Sequence, residues 1–260
     1  MAKIGKTLKE NLRENRITFA VYIVLRAFVI TSLVISLLRG DLESAFVCVL
    51  SLLLFLVPSF LEKSLKIDLP SALEIVILLF IFAAEILGEL NAYYVKVPYW
   101  DTMLHTVNGF LSAAVGFALI DILNRNEKFK FTLSPLYVAI VAFCFSMTIG
   151  VVWEFFEFAM DFFFGFDMQK DTVVNVLRSV TLDPTKTNTV ISVDGINEVV
   201  INGSELGVGG YLDIGLYDTM ADLFVNFIGA AVFSILGFFY IKTRGKGRIA
   251  KNFIPTLKEL

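Results

Sequence analysis

Apolar residues run along this chain in six blocks, at about 17–38, 43–62, 69–90, 100–123, 133–160 and 218–241. Each reaches the roughly 20 residues that an α-helix needs to cross the hydrocarbon of a bilayer. The pattern predicts an all-α polytopic membrane protein, a six-helix transmembrane bundle. Between the blocks the chain is short and polar except at 161–217, between the fifth and sixth. There "TVISVDGINEVVINGSELGV" alternates β-branched with polar residues and carries Asp194-Gly195 and Asn202-Gly203, two pairs that favour tight hairpin turns. This predicts a small three-stranded β-meander, inserted between helices 5 and 6 and serving either as a lid or as a spacer.

Composition sharpens the class. With 57% hydrophobic residues, 26 phenylalanines and a mean hydropathy of +0.75, the chain lies outside the range of soluble globular domains. A net charge of -3 carries no message about nucleic acid, and Lys and Arg fall between apolar blocks rather than in one basic stripe, so no nucleic-acid partner is expected, whereas membrane lipid is. Cys48 and Cys144 fall in apolar stretches without metal-type spacing, so both are expected to be small buried hydrophobes. The first sixteen residues are charged rather than apolar, unlike a signal peptide, and the first block is expected to stay as a span.

Charge placement sets the expected orientation. Of the 22 Lys and Arg residues, 16 fall on the side that holds both termini and five on the other, with Arg26 inside the first block. The positive-inside rule then predicts a multi-pass protein of the plasma membrane with cytoplasmic termini and an outer insertion. The expected organisation is a basic segment at 1–16, a membrane domain at 17–241 containing the insertion 161–217, and a basic tail at 242–260. The first segment reads equally as a helix on the inner membrane surface or as a solvated tail.

Ionisable residues inside spans are the exception that calls for chemistry. A charge at the bilayer centre costs on the order of 3 kcal/mol, so it needs a partner, water or a function. Here Glu85 and Glu89 end span 3, and Asp101 and His105 begin span 4. Glu154, Glu157 and Asp161 lie near the end of span 5, and Asp218, Asp222 and Asn226 begin span 6. Members of each set are three or four residues apart and share a helix face. With the orientation above, all of them sit toward the outer side.

Neighbouring carboxylates repel unless they are protonated or hold a cation. The donor set suits Mg²⁺, Mn²⁺ or Ca²⁺ better than structural zinc. His105, the only histidine, serves either as a ligand or as a general base, both of which need a neutral ring near neutral pH. Structural readings stand beside these. Asp101 and Asp218 could act as N-terminal dipole charges worth about 0.3–1 kcal/mol, and Glu85 and Glu89 as solvated ends. Arg26 is expected to pair with one of the acids, the phenylalanines to face lipid, and Gly109 and Gly229 to permit close helix packing.

These motifs carry a resemblance. Asp101-x-x-x-His105, "WEFFE" with Glu154 and Glu157, and Asp222-x-x-x-Asn226-x-x-Gly229 follow the order of polar motifs in VanZ-like membrane proteins. The overall arrangement is similar to the YjdF family of inner-membrane proteins, with its "DT..D...N..GA" ending, over roughly 70–240. VanZ-like proteins are grouped by resemblance with lipid-headgroup enzymes, which implies exchange or hydrolysis at a membrane phosphodiester. The chain departs from that pattern: Glu157 stands where many relatives have Gln, and no arginine shortly precedes Asp218.

The leading expectation is an enzyme that holds a divalent cation with Glu154, Glu157, Asp218 and Asp222. His105, oriented by Asp101, would activate a hydroxyl or water, while Asn226, Glu89, Lys96 and Arg178 would contact substrate. The rival readings are a cation- or proton-coupled transporter and a noncatalytic binder of lipid or cell-wall intermediates.

Overall fold

The structure is a computed structural model that describes residues 8–65, 67–125, 133–243 and 252–257. Residues 1–7 of the expected basic segment and most of the basic tail lie outside that set, as does the basic loop at 126–132. Among the described residues six helices are long and apolar enough to cross a membrane: Arg16–Arg39, Leu42–Ser64, Ser71–Leu90, Trp100–Asp121, Pro135–Phe164 and Leu216–Lys242. This is the expected multi-pass protein, with each span within a few residues of its hydropathy block.

The first helix, α1 (Leu8–Arg39), runs unbroken into span 1, so residues 8–16 are helical and continuous with it. Span 2 is two helices, α2 (Leu42–Leu54) and α3 (Val57–Leu65). The break has a local cause. Pro58, in the first turn of α3, has no N–H for the carbonyl of residue 54, and its ring would collide with that carbonyl in a continuous helix. Asp41 caps the start of α2 by accepting the Ser44 N–H at 3.0 Å.

Span 3 begins as α4 (Ser71–Ile81) and widens into a π-helix over Phe82–Leu90, the stretch that holds Glu85 and Glu89. Ala92, in the left-handed region at φ 56°, ends it, and a short α5 (Tyr93–Lys96) follows. Then come α6 (Trp100–Arg125), α7 (Pro135–Phe164) and α8 (Leu216–Lys242).

The chain divides into two compact units, 1–150 with 225–260, and 151–224. The first holds two apolar cores. One joins the first three spans through Leu25, Val29, Cys48, Phe55, Leu78, Ile81 and Ile86. The other joins the last three through Ala113, Ala114, Phe117, Val138, Ala142, Ala230 and Phe233, with Ile254 of the tail added. The tail returns far enough for Thr256–Leu257 to pair antiparallel with Ile67–Asp68. Four spans separate these strands in sequence, and an even number of crossings is what puts both on one side of a membrane.

Large side chains such as Phe19, Phe60, Phe162 and Phe224 remain exposed, as expected of surfaces that meet lipid. Cys144 corrects the expectation made for it. Cys48 is buried, but Cys144 is exposed, because in a bilayer an apolar side chain needs no protein cover. Arg26 is a second correction: its guanidinium lies over the Tyr22 ring, 4.1 Å from the centroid, a cation–π contact within α1, and it pairs with no acid among the described residues.

The second unit contains the last turns of α7, the insertion and the first turns of α8. The insertion is β-structured as expected, but its strands form separate two-stranded antiparallel ladders. Val176–Ser179 pairs with Ile191–Asp194, Val200–Ile201 with Ser204–Glu205, and Val173–Val174 with Tyr211–Leu212. Asn202-Gly203 forms the expected two-residue hairpin turn, both residues at positive φ. Asp194-Gly195 instead closes its strand, which pairs backward with residues upstream of the expected meander.

Candidate functional site

In the first unit, α6 carries Asp101 and His105 one turn apart. His105 is 6% exposed, and its Nε2 lies 3.5 Å from Asp101 Oδ1. A carboxylate at that nitrogen orients the ring. One turn further along, α6, α7 and α8 lock together. Asn226 is fully buried, accepts from Asn108 Nδ2 and donates to the Ser146 carbonyl, both at 3.4 Å. Ser146 Oγ in turn donates to the Gly109 carbonyl at 2.8 Å.

The glycines make this closeness possible. A Cβ on Gly109 would stand 2.2 Å from the Asn226 carbonyl oxygen, and one on Gly229 2.0 Å from that of Thr106. Both obstacles are backbone, which cannot swing aside, so the expected close-packing role of these two glycines is what the geometry contains.

The second unit gathers carboxylates on α7 and α8. Glu154, Glu157 and Asp222 are 4%, 7% and 3% exposed, respectively, although each sits in a membrane-spanning helix. The Trp153 indole N–H donates to Glu157 Oε1 at 2.9 Å. Gln169 donates through Nε2 to Thr219 Oγ1 at 2.6 Å and, at 3.5 Å, to Glu154 Oε2.

Asp161 and Asp218 have backbone partners. Gly165, at φ 69°, ends α7 and turns the chain back. Asp161 then accepts the Met168 and Gln169 N–H groups at 2.6 and 2.8 Å, and Asp218 accepts that of Lys170 at 2.8 Å. Asp213 ties the same strap to the head of α8 by accepting from Thr172 N and Tyr217 N, both at 2.7 Å. Residues 165–172 are thus bound to both helices, and Gln169 is delivered between them. There a cavity of about 390 Å³ is lined by Glu154, Gln169 and Thr219 together with Phe155, Phe158 and Leu223, among others.

The remaining expected site residues are at the surface. Glu89 is exposed near the end of the π-helix; the Lys96 ammonium donates to the Asn91 carbonyl at 3.0 Å; Arg178 is exposed on the strand Val176–Ser179.

Residues 20–243 match the model of the family described as "Predicted membrane protein (DUF2238)". The chain belongs to that family. No curated protein and no solved structure matches it. The match reaches all six spans and the insertion, so His105, Glu154, Glu157, Asp222 and Asn226 fall within the matched region.

Gln169 escaped the sequence reading. It is a neutral side chain in a polar loop, with no periodicity to mark it, and its position depends on the Asp161 cap. The Asn108 and Ser146 partners of Asn226 were equally hidden, since single Asn and Ser residues in an apolar helix carry no spacing signal.

Proposed function

We propose that this protein is a divalent-cation-dependent enzyme of the plasma membrane that acts on a lipid-headgroup phosphodiester at the extracytoplasmic face, with both termini cytoplasmic. The observation that supports it is burial. Glu154, Glu157, Asp222 and His105 are all at most 7% exposed within membrane-spanning helices, where ionisable groups are kept at a cost and mark function. The order of polar motifs, similar to that of VanZ-like proteins, favours the same reading.

In this proposal carboxylates among Glu154, Glu157 and Asp222 would hold Mg²⁺, Mn²⁺ or Ca²⁺, which would supply Lewis-acid polarisation of a phosphoryl oxygen. His105, oriented by Asp101, accepts the proton of the attacking hydroxyl or water and returns it to the departing headgroup oxygen. Asp218 and Asp161 serve as anchors of the strap, and Asn226 as the lock of α6, α7 and α8. Glu89, Lys96 and Arg178 meet the headgroup layer.

The test is turnover in phospholipid vesicles. Purified protein with Mn²⁺ is expected to release or exchange headgroups, to stop with chelator, and to fall by about 10²–10⁴ in rate for His105→Ala. Failure to turn over any phospholipid class, or turnover indifferent to chelator and to Glu154→Gln, contradicts the proposal.

A further inference from the structure

The cavity in the 151–224 unit has chemistry of its own. Its volume of about 390 Å³ falls in the range of ligand pockets. Most of the lining is apolar: Val151, Phe155, Phe158, Leu216 and Leu223 form walls. Three of these are at the same time strongly exposed, Phe155 at 67%, Phe158 at 55% and Leu216 at 61%. They belong to helices that cross the membrane, so the surroundings to which those walls open are hydrocarbon and its headgroup border.

The polar lining is narrow and fixed. Glu154 is 96% buried, Gln169 spends its amide hydrogens on Thr219 and Glu154, and the carboxylate is acceptor-only when ionised. Gln169 itself cannot drift. Its backbone N–H is held by Asp161, and a Cβ on Gly215, at φ 77°, would stand 2.7 Å from the Gln169 Cβ. An apolar trough with one end made of anchored polar groups fits a molecule that is itself an amphiphile.

We propose that this cavity binds one acyl chain of a membrane phospholipid and places its glycerol and headgroup end at Glu154 and Gln169. The inference deepens the proposed function and rests on it for the reaction: the substrate would be a chain-bearing lipid, and a water-soluble phosphodiester with the same headgroup would bind poorly. Leu223 and Phe158 then determine chain binding, and Gln169 is a positioning residue that orients the Glu154 carboxylate toward the polar end.

The experiment uses the full chain in phosphatidylethanolamine and phosphatidylglycerol vesicles with a trace of phospholipid carrying a photoactivatable diazirine in one chain. Labelled peptides are mapped by mass spectrometry. Labelling is expected to concentrate on the peptides containing Phe155, Phe158 and Leu223 and to saturate. Unlabelled phospholipid should compete, whereas soluble glycerophosphoethanolamine should not. Leu223→Trp, which fills the trough, should weaken it by about tenfold, a loss of about 1.4 kcal/mol in binding.

Labelling spread evenly over lipid-facing residues of all six spans, without saturation, would mean annular lipid only and would overturn the proposal. The wild-type pattern decides this even if Leu223→Trp does not fold. Turnover is read separately. Saturable labelling without turnover leaves the chain site standing and removes the enzyme reading, whereas turnover of the soluble phosphodiester as fast as of the lipid removes the chain site and keeps the enzyme.

Discussion

Asp101 and Asp218 open the same triplet, Asp-Thr-Met, at the heads of two spans, yet their carboxylates do different work. Asp101 sits beside His105, whereas Asp218 holds the Lys170 N–H. Spacing alone could not separate them, because each partner comes from a different structural context. The glycines permit a quantitative comparison. Hydrogen bonds between membrane helices average about 0.6 kcal/mol, while overpacking costs about 1–3 kcal/mol. Gly229→Ala, with backbone 2.0 Å away, should therefore lower the thermal unfolding temperature in detergent more than Asn226→Ala, whose bonds are 3.4 Å long. The reverse order would show that the polar lock outweighs the close approach.

Asp183 offers a pH test. Its carboxylate accepts from the Thr185 hydroxyl and from the N–H groups of Thr185, Thr187 and Thr189. The Thr185 hydroxyl bond is the largest cause that holds its pKa well below the ordinary 3.8, with the backbone bonds adding to it against burial. A carboxyl depressed on folding stabilises the loop fully above the ordinary value, and the contribution disappears as pH falls through the folded one. Amide exchange at Thr185–Thr189, corrected for intrinsic rates, should stay protected down to pH 4 and open below it. Asp183→Asn should remove that pH dependence.

At the scale of elements, the spans were legible because hydropathy over some twenty residues reports directly on what a bilayer accepts. The break in span 2 was written in Pro58. The π-helix over Phe82–Leu90 was not, since its extra residue per turn arises from packing and leaves the apolar character of the block unchanged. In the insertion, Asn202-Gly203 named its own turn, whereas the pairing of Ile191–Asp194 with Val176–Ser179 is a choice of partner that alternation does not encode. The strap at 165–172 starts at one helix-end carboxylate, Asp161, and is held further along by Asp218 and Asp213. Removing two charge-assisted bonds in Asp161→Ala should cost about 1.5–3 kcal/mol for each. Proteolysis should then cut near Gly165, while α7 keeps its helical signal; an unchanged cleavage pattern would mean that Asp213 and Asp218 hold the strap without it.

At the scale of the molecule, the pairing of Ile67–Asp68 with Thr256–Leu257 matches the even number of spans between them, and the family match at 20–243 covers the spans. The acids and the histidine were visible in the sequence because polar residues in apolar blocks stand out. Their burial was not, because it depends on which neighbours cover each helix face. The account turns on Glu154, Glu157 and Asp222 being cation ligands rather than buried structural acids. Calorimetric titration of the purified protein with Mn²⁺, beside folded Glu154→Gln and Asp222→Asn variants, tests that most directly. The account predicts saturable binding in the wild type that is lost in both variants. No saturable binding, or binding that survives both substitutions, would contradict it.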